Sequence, residues 1–267
     1  MLDDELSLHQ IRDAFLREVE RRHAEHEFTT DYRALAQRLG VTVVAGRSNQ
    51  AITTSGERFI VVDEQVAEQR ARFSGLHEIA HHLFEESEDG YLRARLKDIF
   101  HHSPEAAKHH EEDLCDAAAA LLLMPNHLLQ EAVRVHGHSP LTALFLVTRS
   151  GASAQAALRR VMWHRDVPSF GVLMNAKGLV LDSVNHGHAK SYPIGRNFLV
   201  EEQHALRTSS FAPDIMEMFD APVPFSNGNR GWIMRVRACL DGRGRTLAFF
   251  NRAEHVIRID DRQPALF

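Results

Sequence analysis

Near the start of the chain Leu8, Ile11, Phe15 and Val19 stand three or four apart with charged residues between them, which predicts an amphipathic helix over residues 5–26. Its Arg21-Arg22-His23 end complements the helix dipole. A second helix is expected from Phe28 to Leu39, capped by Thr30 or Asp31 and stopped by Gly40. The period then changes. Val41–Ala45 and Phe59–Asp63 are short apolar runs that read as paired strands, with Gly46–Glu57 as a polar loop between them. Helical spacing returns at Phe73–Phe84, where Leu76, Ile79, Ala80, Leu83 and Phe84 would cover most of a helix surface and bury it. Residues 85–111 are charged and rich in histidine (His101, His102, His109, His110) and read as a solvated insert. The helix that follows starts polar at His109 and becomes wholly apolar through Ala117–Met124, so it dives into the core.

Beyond Pro125 the pattern is helical again: Leu128–Val135, a break at Gly137-His138-Ser139-Pro140, Leu141–Val147, a turn at Ser150-Gly151, then Ala154–Trp163. The last two have the outline of a helix-turn-helix, and Gln155, Arg159 and Arg160 on the second are residue types that can reach bases or phosphates. A helical subdomain packed on its neighbours is the favoured reading. From Pro168 the period is two. Ser169–Asn175 and Gly178–Val184 read as strands, Trp232–Leu240 and Thr246–Asn251 as a hairpin closed by Asp241-Gly242-Arg243-Gly244, Val256–Asp260 as a further strand, and Glu201–Leu206 as a short helix. The expected class is α+β: a mainly helical core with a small sheet in residues 1–125, a helix-turn-helix-like segment in 126–167, and an α+β domain on an antiparallel sheet in 168–267.

Composition narrows the setting. A chain of 267 residues with 44% hydrophobic content has enough apolar material for one or two real cores. The net charge of −5 gives no general attraction to polyanions, so direct nucleic-acid binding is disfavoured. No apolar run reaches the roughly 18 residues of a membrane span and no basic-then-apolar leader opens the chain, so no membrane association and a cytoplasmic location are expected. Cys115 and Cys239 are the two cysteines, far apart, and a disulfide framework is not expected. Cys115 reads as a small core hydrophobe.

The chemistry sits in His77-Glu78-Ile79-Ala80-His81. Residues four apart on a helix lie above one another, so His77 and His81 can aim a ring nitrogen at one ion. Glu78 lies about 100° further round, poorly placed to ligate but well placed to hold a water on the ion and take its proton. With 18 histidines in the chain, chance supplies roughly 0.1 such matches, so the apolar helical setting matters as much as the spacing. A catalytic zinc needs a third protein ligand and keeps a position for solvent. Glu112 on the downstream helix is the candidate, with Asp116 on the same face free to accept a hydrogen bond from the outer nitrogen of a ligand histidine. Glu111, one residue earlier, is not excluded by spacing. A donor for the tetrahedral intermediate is expected from residues 85–111 or from a strand tyrosine. The order helices, small sheet, histidine helix suggests that a sheet edge over the cleft, Phe59–Asp63, holds an extended substrate by strand addition, so that its side-chain identities matter little.

Arg72-Phe73, His77-Glu78-Ile79-Ala80-His81, Glu112-x-Leu114-Cys115-Asp116 and Ala119-Ala120-Leu121-Leu122-Leu123-Met124-Pro125 together resemble the ImmA/IrrE family of bacterial and phage zinc metallopeptidases. The resemblance covers about residues 30 to 165 well. More weakly, the remainder resembles the radiation-response branch, whose added C-terminal domain is GAF-like. It implies His77, His81 and Glu112 as metal ligands, Glu78 as general base, a bound Zn²⁺ and a zincin-like core. His and carboxylate ligands also tolerate Mn²⁺. The implied substrate is a helix-turn-helix transcriptional repressor, cleaved to relieve repression after DNA damage or another stress. The alternative is a non-catalytic, metal-containing stress regulator acting through protein or DNA contacts. Ala80 stands where the family usually has Gly, and Leu76 where it often has Ala; both changes add bulk without removing a chemical group.

Overall fold

The computed structural model describes residues 7–164, 169–186, 195–213, 215–223 and 233–251. They belong to two compact units, 1–126 and 127–267.

In the first unit, α1 (Leu8–Glu25) opens on a capping box in which Ser7 and Gln10 satisfy each other's backbone N–H groups, and it buries Ile11, Phe15, Val19 and His23 along one stripe. Leu8 stays exposed. The second helix, α2 (Tyr32–Arg38), is shorter than its apolar pattern suggests. Glu27 and Phe28 take left-handed φ values of 60° and 52°, so the chain turns before Asp31 caps the helix through the Arg33 N–H. Three strands follow: β1 (Val41–Gly46), β2 (Gln50–Thr54) and β3 (Glu57–Asp63), in the order β1-β3-β2. The pairing of β1 with β3 is parallel; β2 pairs antiparallel with β3. The polar stretch between the apolar runs is therefore a strand and not a loop. Ser55 and Gly56, both with positive φ, close its hairpin, the geometry of a two-residue turn between twisted strands. This arrangement also corrects the expected substrate edge: β3 lies in the centre of the sheet with Ile60 and Val62 fully buried, and β2 is the edge strand.

Helix α3 (Glu68–Glu86) carries the histidines. Its Gly75 lies against α2: a Cβ there would stand 2.3 Å from a ring carbon of Tyr32. Gly75→Ala is expected to destabilise the protein by about 1–3 kcal/mol, because the ring must move and the better helix propensity of Ala only partly offsets that. A denaturation midpoint equal to or above that of the native chain would show that the Tyr32 contact yields easily.

Residues 85–111 are ordered and not a solvated insert. A turn at Ser87–Gly90 leads into α4 (Tyr91–Ile99), whose Leu92 and Leu96 are buried, and α5 (Pro104–Leu123) begins at Ser103, the N-cap, with Pro104 in the first helical turn. Helix α5 packs on α3 and α1 through its apolar half, where Cys115, Ala118 and Ala119 are fully buried.

The second unit begins within α6 (Asn126–His136) and continues with α7 (Pro140–Ser150) and α8 (Ala154–Trp163). Its sheet contains β4 (Ser169–Met174), β5 (Val180–His186), β6 (Glu217–Pro222), β7 (Ile233–Leu240) and β8 (Thr246–Asn251), all antiparallel in the order β5-β4-β8-β7-β6. One face carries a core of Phe170, Val172, Met174, Val236, Ala248 and Phe250 with their neighbours. Against the other face Leu158 and Met162 of α8 lie over Gly171. The β7–β8 turn is held by the Asp241 carboxylate, which accepts from the Arg243 and Arg245 N–H groups at 2.9 Å. Strand β6 has no counterpart in the sequence reading. The short helix, α9, is Ala205–Thr208, four residues later than expected, because the His204 ring caps it by accepting the Leu206 N–H. The expected strand Val256–Asp260 lies outside the described residues.

Two of the three proposed base-reading side chains of α8 are engaged within this unit. Gln155 donates to the Leu181 carbonyl, and Arg159 forms a two-pronged pair with Asp182, which is 1% exposed.

Candidate metal centre

Two helices remote in sequence build the site. On α3, His77 and His81 are one turn apart and their Nε2 atoms lie 3.1 Å from each other. Between them on the helix, Glu78 turns its carboxylate into a cleft of about 900 Å³ in the first unit. Helix α5 packs beside α3 and brings Glu111, Glu112 and Asp116 to the same place. Glu112 Oε2 is 3.2 Å from His77 Nε2 and 3.6 Å from His81 Nε2. Among the described residues, these three form the group of donors close enough together to hold one metal ion, all within 4.8 Å of one another.

The outer ring nitrogens have their own partners. His77 Nδ1 lies 2.9 Å from Asp116 Oδ1, the contact expected from the shared face of residues 112 and 116. His81 Nδ1 lies 3.4 Å from Glu111 Oε1. A carboxylate at Nδ1 fixes the proton there, so the Nε2 atom of each ring presents a lone pair. Two ring lone pairs and a carboxylate oxygen then face one another at 3.1 to 3.6 Å, an arrangement that repels unless a cation lies between them. Ligands about 2.05 Å from a tetrahedral zinc would be about 3.3 Å apart, so the three groups fit such an ion.

Glu111 was open as a rival ligand on spacing alone. Its carboxylate instead lies at His81 Nδ1 and is held from behind by Arg93, with Nη2 3.0 Å from Oε1 and Nε 3.2 Å from Oε2. Burial pushes the Glu111 carboxyl up, but the His81 contact and the Arg93 guanidinium outweigh it and hold it below the ordinary value. Each ligand histidine thus has one acid behind it. Glu111→Gln is expected to weaken metal binding about 10- to 100-fold, the usual cost of losing a ligand's orienting partner, as read by chelator competition. Unchanged affinity would leave His81 oriented by packing alone.

Burial dominates the environment of Glu78, 7% exposed, and raises its carboxyl; His77, His81 and the Ala51 N–H oppose this without reversing it. For His77 burial acts downward, and the Asp116 carboxylate, then Glu78 and Glu112, outweigh it to give a raised value. Cys115 is a core residue: burial, then the nearby carboxylates, push its thiol well above the ordinary range.

Several histidines near the motif do other work. His82 is buried and its Nε2 lies 2.9 Å from the Phe59 carbonyl, tying α3 to β3. The rings of His101 and His102 lie against each other at a 49° tilt, and His110 stacks on Phe100. Of the two expected sources of a donor, residues 85–111 do line the cleft, through Arg93, Lys97, His101 and Lys108, whereas no tyrosine among the described residues lines it: Tyr32 belongs to α2, Tyr91 opens α4, and Tyr192 lies outside the described residues. Edge strand β2 does line it, through Gln50, Ala51 and Thr53. Two features escaped the sequence reading, the edge strand and the Glu111–Arg93 support. Ser55-Gly56 was a usable signal for the first. The second had none, because nothing in sequence links residues 81, 93 and 111.

Among the described residues no helix is long and apolar enough to cross a membrane. No curated protein matches the chain. A solved structure described as a Mycobacterium tuberculosis transcriptional regulator has a similar fold, with a TM-score of 0.54, 13% sequence identity, and coverage of 92% of this chain and 82% of that one. The family described as the IrrE N-terminal-like domain, a peptidase family, matches residues 36–162, a span that contains His77, His81, Glu78, the three acids that α5 brings to the site and the whole of the cleft's helical wall. Over residues 36–162, just under half of its length, the chain carries a domain of the ImmA/IrrE family.

Proposed function

We propose that the protein is a zinc-dependent endopeptidase whose substrate is a helix-turn-helix transcriptional repressor, cut to release a stress or DNA-damage response. The observation that carries the peptidase reading is the convergence of His77, His81 and Glu112 at one point beside a buried carboxylate and an open cleft. A zinc ion held by those three supplies Lewis acidity, which acidifies water and polarises a peptide carbonyl. Glu78 takes a proton from the attacking water and delivers it to the leaving amine, a task that its raised proton affinity suits. Asp116 and Glu111 keep the Nε2 lone pairs of His77 and His81 turned inward throughout. The substrate backbone lies extended along β2, whose outer edge carries main-chain N–H and C=O groups that β3 leaves unpaired.

In the second unit, the antiparallel sheet with α8 on one face suits a GAF-like sensor or protein-contact role, and the cytoplasm is the setting in which a repressor is met. Metal analysis combined with a cleavage assay against the repressor encoded beside this protein's gene tests the proposal. Cleavage that requires the ion supports it. Stoichiometric zinc with an intact repressor would instead favour the regulator in which the ion is structural.

A further inference from the structure

The cleft has a basic wall that catalysis does not use. Counting outward from the metal centre, α4 presents Arg93 and then Lys97, while α5, running back the other way, presents Glu112 and then Lys108. Arg93 is committed to Glu111 and Glu85. Lys97 and Lys108 line the cleft, are exposed, and have no hydrogen-bond or ion-pair partner among the described residues. Lys108 stands four residues, about 6 Å of helix, beyond Glu112, and Lys97 the same distance along α4 beyond Arg93, whose guanidinium holds Glu111 behind the centre. Between them, the buried Leu96 and Ala107 and the ring of Phe100 give the wall an apolar floor.

Two ammonium groups lining one cleft beside apolar surface form a local site for an anionic side chain with an aliphatic stem. An extended peptide advances about 3.3 Å per residue, so a level about 6 Å from the centre meets the side chain two residues from the bond being cut. We infer that Lys97 and Lys108 determine specificity: the peptide this cleft accepts carries an aspartate or glutamate about two residues to one side of the scissile bond. The inference rests on the peptidase reading for the meaning of that bond, but the binding preference can be measured without cleavage.

The test uses the full-length, zinc-loaded chain and two pools of fluorescein-labelled random decapeptides, one with its four central positions restricted to Asp and Glu, the other to Asn and Gln. Anisotropy titrations use the Glu78→Gln chain, so that peptides stay intact. The acidic pool is expected to bind about 2- to 30-fold more tightly, the range for two partly exposed charge pairs, with the preference falling as salt rises. The double substitution Lys97→Glu with Lys108→Glu, both on exposed positions, should remove or invert the preference; a circular-dichroism melt matching the parent shows that the fold is kept. Equal binding of the pools, or an acid preference that survives the double substitution, overturns the assignment. Acid-selective binding by a native, zinc-loaded chain that leaves the repressor intact rejects the peptidase and leaves the subsite standing. Cleavage of both pools at equal rates does the reverse.

Discussion

Glu78→Gln is expected to retain its metal and to cut peptides about 10²- to 10⁴-fold more slowly, the contribution of a positioned general base. The substitution suits the site because Gln keeps the length of the side chain and its carbonyl can still accept the Ala51 N–H, so the helix packing around residue 78 is preserved. What disappears is the capacity to take a proton. His77, His81 and Glu112 are untouched, so zinc stoichiometry should equal that of the native chain. Single-turnover cleavage and elemental analysis on the same sample provide the two readouts. Native-like cleavage with full metal content would require a base other than Glu78 in the cleft.

Arg159→Met is expected to destabilise the second unit by about 3 kcal/mol, the lower end of the range for breaking a buried ion pair. Asp182 is 1% exposed and accepts from Arg159 at 3.0 and 3.1 Å and from Arg196 at 3.0 Å. Met fills a similar volume but leaves that carboxylate with one cation that is itself largely exposed, so most of its lost hydration goes uncompensated. The partial exposure of Arg159 and the surviving Arg196 place the estimate at the low end. Chemical denaturation followed by tryptophan fluorescence reads it, since both tryptophans, Trp163 and Trp232, belong to the second unit. A midpoint unchanged by the substitution would free Arg159 for an external partner and revive the base-reading role of α8.

Elements whose signal is local and periodic were legible in the sequence: α1 by its apolar stripe, α3 by the five apolar residues around the histidines, the β7–β8 hairpin by its Asp-Gly turn. What escaped was structure that depends on remote partners. Strand β2 has little alternation of its own and exists because β3 offers it a ladder. In α4 only Leu92 and Leu96 are fully buried among five charged or polar neighbours, so its composition reads as solvent-exposed until α1 and α5 are present to cover those two side chains. The site followed the same division. His77, Glu78 and His81 lie within one helical turn, and Glu112 with Asp116 within another. The choice between Glu111 and Glu112 depends on how α5 is rotated against α3, and that rotation is set by the small buried residues Cys115, Ala118 and Ala119, which carry no chemistry themselves.

The three candidate ligands come from segments 31 to 35 residues apart, joined by the α4 hairpin. An ion that binds their assembled arrangement and not the separated segments adds to the stability of the first unit in proportion to the logarithm of its free concentration. With such an ion bound, a cell starved of it would hold a protein that opens more often and is degraded sooner, and nutritional metal supply would set how long each molecule survives.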